Sequence, residues 1–196
     1  MSSPVLAEAL RPASKVPARV YDVSLIAGFS LIIALAAQVS VPLYPVPVTL
    51  QTLAVMLTGA LLGSKRGTLA ILLYLAEGFA GLPVFSLGRA GLPMLLGPTG
   101  GYLVGFIAAA WLTGVLVERK LAAQVPGAVL VAIIGLLVPY VPGVAWLGFS
   151  GVGFPRAITL GFVPFLLGDA LKVAAAVAVL AGANILGTRA ASRKAT

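Results

Sequence analysis

The apolar positions of this chain gather into six long blocks, at about 20–40, 50–63, 67–82, 99–117, 125–141 and 162–187. Each reads as a helix, and most approach the roughly 20 residues that a helix needs to cross a bilayer. The second and fifth blocks are short for that and are expected to be tilted, partial or continued by ordered loop. No fixed-period repeat and no low-complexity linker divides the chain. The organisation expected is a cytoplasmic tail over residues 1–19, one six-helix membrane domain over 20–187 and a basic cytoplasmic tail over 188–196.

Composition supports the pattern. The chain is 60% hydrophobic and 9% charged, more apolar surface than a soluble domain of 196 residues could cover. The fold class is therefore all-α, a polytopic membrane protein with six transmembrane helices. The Met1–Lys15 stretch is polar, basic and interrupted by proline, without the apolar core and small-residue cleavage site of a signal peptide. The first apolar run, Val23 to Val39, reads as a retained span of a multi-pass protein of the cell membrane.

Charge then orients the helices. With the N-terminus in the cytoplasm, Arg11, Lys15, Arg19, Lys65, Arg66, Arg119, Lys120, Arg189, Arg193 and Lys194 all fall inside. Only Arg89 and Arg156 fall outside, as the positive-inside rule requires for an even number of spans with both termini cytoplasmic. The net charge of +8 is thus explained by the lipid bilayer, not by nucleic acid, since the basic residues sit at segment ends and form no patch.

What is missing narrows the chemistry. There is no Cys and no His, so disulfides, thiolate or imidazole metal sites, cysteine nucleophiles and a Ser–His–Asp triad are all excluded. Five acidic residues leave little for acid–base work. No metal and no cofactor is expected. The stretch "GALLGSKR" superficially resembles a phosphate-binding loop but has the order Gly63-Ser64-Lys65, not Gly-Lys-Ser/Thr, so the chain carries no ATP-binding apparatus of its own.

The chemistry that remains centres on the last apolar block, where Asp169 and Lys172 stand three residues apart on one helix face. Ionisable groups inside a membrane are costly and face a bundle interior or a polar cavity. If the helix begins near Val163, the pair lies roughly 9–14 Å along it at 1.5 Å per residue. A neutralised pair that fixes helix packing is one reading; a solute site is the sharper one. The outer loops 42–52, 81–102 and 139–161 hold the distinctive Pro, Gly and aromatic residues, and non-helical backbone at membrane depth is tolerated where it lines a cavity. Four elements are therefore expected to converge on one outward-facing pocket.

Within those loops, Thr49, Gln51 and Thr52 can hydrogen-bond a ligand, with helix capping the alternative for Thr49. In "GPTGGY", Thr99 is a candidate N-cap, and Gly100 and Gly101 would free backbone amides for a ligand or else allow tight helix packing. Glu77 is either a solvated interfacial acid or an inward-facing acceptor. Arg89, the one cation of the middle loop, is the natural partner for a ligand carboxylate. Tyr102, Trp146, Phe149, Phe85 and Phe165 are candidate walls, although aromatics near membrane ends often serve as interfacial anchors. On the first helix, Ala27, Ser30, Ala34 and Ala37 form a small-residue stripe that admits another helix closely, from a partner or from this chain.

Four motifs, "PVPVTLQTLAV", "LLYLAEGFAGLPVF", "LLGPTGGYLVGF" and "GFVPFLLGDALK", in this order, resemble the BioY family, the biotin-binding S components of energy-coupling-factor (ECF) vitamin transporters. The resemblance covers roughly residues 20–185. It implies a six-helix substrate-binding subunit with its site on the outer side, coupled to an ECF transmembrane subunit and two cytosolic ATPase subunits. It also implies that Asp169 and Lys172 contact biotin, and that the stripe Ala27, Ser30, Ala34 and Ala37 meets the coupling subunit. Biotin suits the candidates: Asp169 accepting from the ureido N–H groups, Lys172 donating to the carbonyl or pairing with the acid, Arg89 taking the carboxylate. With Glu77 included the pocket would hold three negative groups against two cations, so Glu77 must be neutral, solvated or elsewhere. The competing readings are a stand-alone facilitator or channel for another small solute and, against the missing His and Cys, an intramembrane enzyme.

Overall fold

The computed structural model describes residues 5–9 and 17–195, with the side chains of 5–8 and 17–189. Arg11 and Lys15 lie outside the described residues, as do the side chains of Arg193 and Lys194. Helices appear at all six apolar blocks. After α1 (Leu6–Ala9) come α2 (Ala18–Gln38), a two-residue antiparallel ribbon of β1 (Ser40–Val41) and β2 (Val48–Thr49), α3 (Gln51–Leu62) and α4 (Ser64–Phe79). A loop with a 3₁₀ turn at Ser86–Gly88 and the short α5 (Pro93–Leu96) leads to α6 (Gly100–Glu118). Then follow α7 (Val125–Leu137), α8 (Tyr140–Leu147), α9 (Phe154–Gly161) and α10 (Leu166–Ala195).

Four helical stretches among the described residues are long and apolar enough to cross a membrane: Ala18–Gln38, Gly100–Glu118, Val125–Val152 and Phe154–Arg189. The second and third apolar blocks differ. Helix α3 has 12 residues and α4 has 16, both below a full span. They join without a loop, because Gly63 takes φ +86°, a left-handed conformation that glycine adopts without strain. The stretch "GSKRG" at Gly63–Gly67, between the second and third apolar blocks, is therefore no loop: Ser64–Gly67 is the first turn of α4. Its N-terminus is closed by Glu118 from the end of α6, which accepts from the Ser64 N–H at 2.7 Å and from the Ser64 hydroxyl at 2.9 Å. A carboxylate there satisfies otherwise unpaired amides and opposes the helix dipole.

The short helices are buried by close contact. A Cβ on Gly59 would collide with the Ala110 carbonyl of α6, and a Cβ on Gly67 would lie 2.7 Å from the Gly59 Cα. Thr113 reinforces this three-helix junction by donating to the Ala109 carbonyl of its own helix at 2.8 Å and lying 3.2 Å from the Met56 carbonyl of α3. The larger core cluster, including Ile33, Tyr74, Phe85, Tyr102, Phe106 and Phe165, fills the end of the bundle that carries the long loops. A separate cluster of Ala60, Ala122, Ala128, Val131 and Leu180 fills the opposite end.

Several expectations need correction. The outer loop 139–161 is mostly helical, as α8, a π-turn at Gly148–Val152 and α9. The last helix begins at Leu166, not Val163, because Pro164 sits in a 3₁₀ turn at Val163–Phe165. Asp169 is therefore in its first turn, and Lys172 only about 9 Å along it. The tails are partly structured: Val5 and Ala7 are buried, Tyr21 donates to the Ala7 carbonyl at 2.9 Å, and α10 continues through residues 188–195. The small-residue stripe is also placed differently. Ser30, Ala34 and Ala37 are buried within the chain, Ser30 against Glu77 of α4, and only Ala27 is exposed. Three of the four positions expected to meet a partner are thus covered by the chain itself.

Candidate functional site

At the loop end, β2, the start of α3, the 85–89 loop, α5, α6, α8 and α10 enclose one cleft of about 540 Å³, counted out to its open mouth. Phe85, Tyr102, Phe106, Tyr140 and Phe165 give it aromatic walls, with Met94 and Leu103 between them. The rings are mutually oriented: Tyr140 lies edge-on to Tyr102 and Phe165, at centroid distances of 6.1 and 5.6 Å, and Tyr74 lies edge-on to Phe85 at 5.5 Å. Tyr102 is further fixed by donating its hydroxyl to the Gly161 carbonyl at 2.8 Å.

The α10 wall carries the charged pair. Asp169 and Lys172 are 6% and 5% exposed, and Lys172 Nζ lies 2.9 Å from Asp169 Oδ1. Lys172 also donates to Thr52 Oγ1 at 2.9 Å, while the Tyr140 hydroxyl donates to Asp169 Oδ2 at 2.5 Å. Both carboxylate oxygens are thus engaged, and Asp169 stands behind the cleft surface while Lys172 lines it. An ammonium has three protons, so Lys172 keeps one for a ligand acceptor. Asp169, expected as a ligand contact, is not among the residues that line the cleft and pairs with Lys172 beside it.

The opposite wall is the turn at 85–89. Phe85 N–H donates to the Arg89 carbonyl at 3.0 Å, closing the turn, and Arg89 Nε donates to the Ser86 carbonyl at 3.1 Å. Gln38, at the end of α2, clamps it from outside: its amide donates to the Phe85 carbonyl at 3.1 Å and its carbonyl accepts from Gly88 N–H at 3.0 Å. Arg89 lines the cleft half-buried and forms no ion pair with any described residue. The Ser86 hydroxyl is buried and has no hydrogen-bond partner among the described residues.

Of the residues singled out from the sequence, Lys172, Arg89, Thr49, Gln51, Thr99 and Tyr102 line the cleft together, with Thr52 beside them. Thr49 also accepts from the Gln51 N–H at 3.2 Å, and Gln51 donates to the Tyr74 hydroxyl at 2.8 Å, so both are held in place by the fold. Thr99 occupies the residue before α6 but donates back to the Met94 carbonyl instead of capping the helix. The others lie elsewhere. Glu77 accepts from Ser30 at 2.6 Å, in the α2–α4 contact, which removes the surplus negative charge from the pocket. Gly100 donates its N–H to the Gly97 carbonyl, and its missing Cβ makes room for the Leu95 backbone rather than for a ligand. Trp146 is 40% exposed and donates to the Gly97 carbonyl at 2.9 Å, outside the cleft. Phe149, 80% exposed, is no wall either. Tyr140, Ser86 and Gln38 were not singled out as site residues, because their roles depend on partners at least 29 positions away in sequence or on a turn that only the folded chain reveals.

Comparison with known proteins gives a consistent answer. The model of the BioY family matches residues 10–188. A protein of Pyrococcus horikoshii called probable biotin transporter BioY is 42% identical over 158 residues, covering 81% of this chain and 93% of that one. The biotin transporter BioY of Thermotoga maritima is also 42% identical, over 76% of this chain and 86% of its own length. Among solved structures, the crystal structure of the S component for biotin from an ECF-type ABC transporter superposes with a TM-score of 0.72 at 28% identity, covering 86% of this chain and 93% of that one. A match over nearly the whole chain, with relatives of this identity and coverage, places the chain in the BioY family.

Proposed function

We propose that this chain is the biotin-binding S component of an ECF-type importer: a transporter subunit, not an enzyme. The observation that carries this reading is the charge arrangement of the cleft. Lys172 is neutralised by Asp169, whereas Arg89 forms no ion pair among the described residues, so the aromatic cleft suits a ligand with one carboxylate. Biotin has that single carboxylate, an apolar sulfur ring for the aromatic walls, and a ureido carbonyl that can accept the remaining Lys172 proton. The relatives named biotin transporters and the solved biotin S component support the same ligand.

The topology follows from the same reading. Helices α3 and α4 are short enough to need local thinning of the bilayer, at modest cost, to complete six spans. The end holding Lys65, Arg66 and Lys120 is the cytoplasmic one by the positive-inside rule, and the cleft then opens outward. An ECF transmembrane subunit and two ATPase subunits supply the energy that this chain has no means to provide. Isothermal titration of the purified chain with biotin tests the core of the proposal. Saturable one-to-one binding is expected, with ATP-dependent uptake only in cells that also contain the ATPases. Absence of biotin binding by folded protein would remove the biotin reading; equal uptake without ATPases would favour the facilitator.

A further inference from the structure

A buried hydroxyl with nothing to bond is unfavourable, since it has left water and gained no replacement. Native chains rarely keep one without a reason. Ser86 is 6% exposed, lines the cleft, and its Oγ has no partner among the described residues. Its surroundings do not suggest slack. The turn is closed by the Phe85–Arg89 bond and clamped by Gln38, and Leu87 is held at φ +63°, a left-handed conformation disfavoured for a side chain of its kind. The fold thus holds Ser86 in a rigid frame while leaving its hydroxyl unbonded.

The same turn holds Arg89. Its Nε donates to the Ser86 carbonyl, so the guanidinium and the Ser86 hydroxyl belong to one rigid frame. A neutral ligand group placed there would satisfy the hydroxyl but leave the cation unpaired. A carboxylate satisfies both, taking charge-assisted bonds from the guanidinium and one from the hydroxyl. Resting on the biotin reading, we propose that Ser86 Oγ donates to the ligand carboxylate beside Arg89, and that this pair selects the acid over uncharged derivatives of the same ring system. The ring end of the ligand then lies toward Lys172.

The test compares biotin with biotinamide, which keeps the rings and chain but has no charge, on wild-type and Ser86→Ala protein by titration calorimetry. The proposal expects Ser86→Ala to weaken biotin about 10- to 100-fold, as loss of a hydrogen bond to a charged group does. Biotinamide should bind the two proteins alike, within about threefold. Thermal unfolding of the ligand-free proteins adds a readout that a merely structural role would move in the opposite direction. Because the hydroxyl is unbonded, Ser86→Ala should melt at the same temperature or higher. Undiminished biotin affinity in Ser86→Ala overturns the proposal. So does an equal loss for both ligands, or a lowered melting temperature. Wild-type protein that is folded and binds neither ligand overturns the biotin reading itself, and the proposal with it.

Discussion

On the α10 wall of the cleft the polar groups are tied to one another: Lys172 to Asp169 and Thr52, and Asp169 in turn to Tyr140. On the 85–89 wall the backbone is tied down just as firmly, yet the Ser86 hydroxyl and the Arg89 charge are left open. The difference concerns when electrostatic cost is met. A buried ion pair must be compensated in the folded protein itself, since an isolated charge out of water costs several kcal/mol. Arg89, half-buried near the mouth, stays partly solvated until a ligand arrives. In the proposed reading, one wall receives the neutral ring end of a ligand and the other its charge.

The largest effect is expected at the ion pair. Lys172→Ala should leave Asp169 buried beside Tyr140 with no cation, a loss of about 3–5 kcal/mol in comparable settings. Biotin affinity should fall at least a hundredfold, and part of the penalty should appear as a lower melting temperature. Calorimetry and thermal unfolding on the same preparation separate the two. Asp169→Asn should behave similarly despite not lining the cleft, because Lys172 loses the group that aims it. If Asp169→Asn binds normally, the ordering of that wall has been misassigned.

Arg89→Ala comes next. It removes the open charge without disturbing an existing ion pair, so stability should be nearly unchanged while affinity falls by about 1.5–3 kcal/mol, the worth of hydrogen bonds to a charged group. Arg89→Lys should restore only part, since an ammonium cannot make the paired contacts of a guanidinium. A smaller effect is expected at Gln38→Ala, about 1 kcal/mol in affinity, because it loosens the frame and leaves the contact groups in place. An unaltered Kd for Gln38→Ala would mean that the turn holds its shape without the clamp. Smallest of all is Glu77→Gln. Lying off the cleft against Ser30, it should change affinity by less than about twofold and show itself only in thermal stability.

The helices were legible because membrane spans announce themselves by composition, and Asp169–Lys172 was legible because charges inside an apolar block have few uses. The limits of legibility are physical too. A stripe of small residues, Ser30, Ala34 and Ala37, says that something approaches closely but not what does, and here α2 packs on α4, α3 and the Ser86–Gly88 turn of the same chain. Glu77 reads alike whether it faces a ligand or a serine. Gly63 marks a turn in sequence, but its joining of two helices with no loop depends on Glu118 arriving from the end of α6. Tyr140 has no signal of its own in the sequence, and only the folding of the chain brings its hydroxyl onto Asp169. Ser86 carried no signal at all, since an unsatisfied hydroxyl is a property of surroundings and not of residue type.

The arrangement of the two walls is tested most directly by a crystal structure of the protein with biotin bound. One biotin is expected in the cleft, its carboxylate about 3 Å from Arg89 and Ser86 and its ureido carbonyl at a similar distance from Lys172. A biotin lying the other way, with its carboxylate on Lys172 and its ring against Arg89, or one bound outside this cleft, would contradict it.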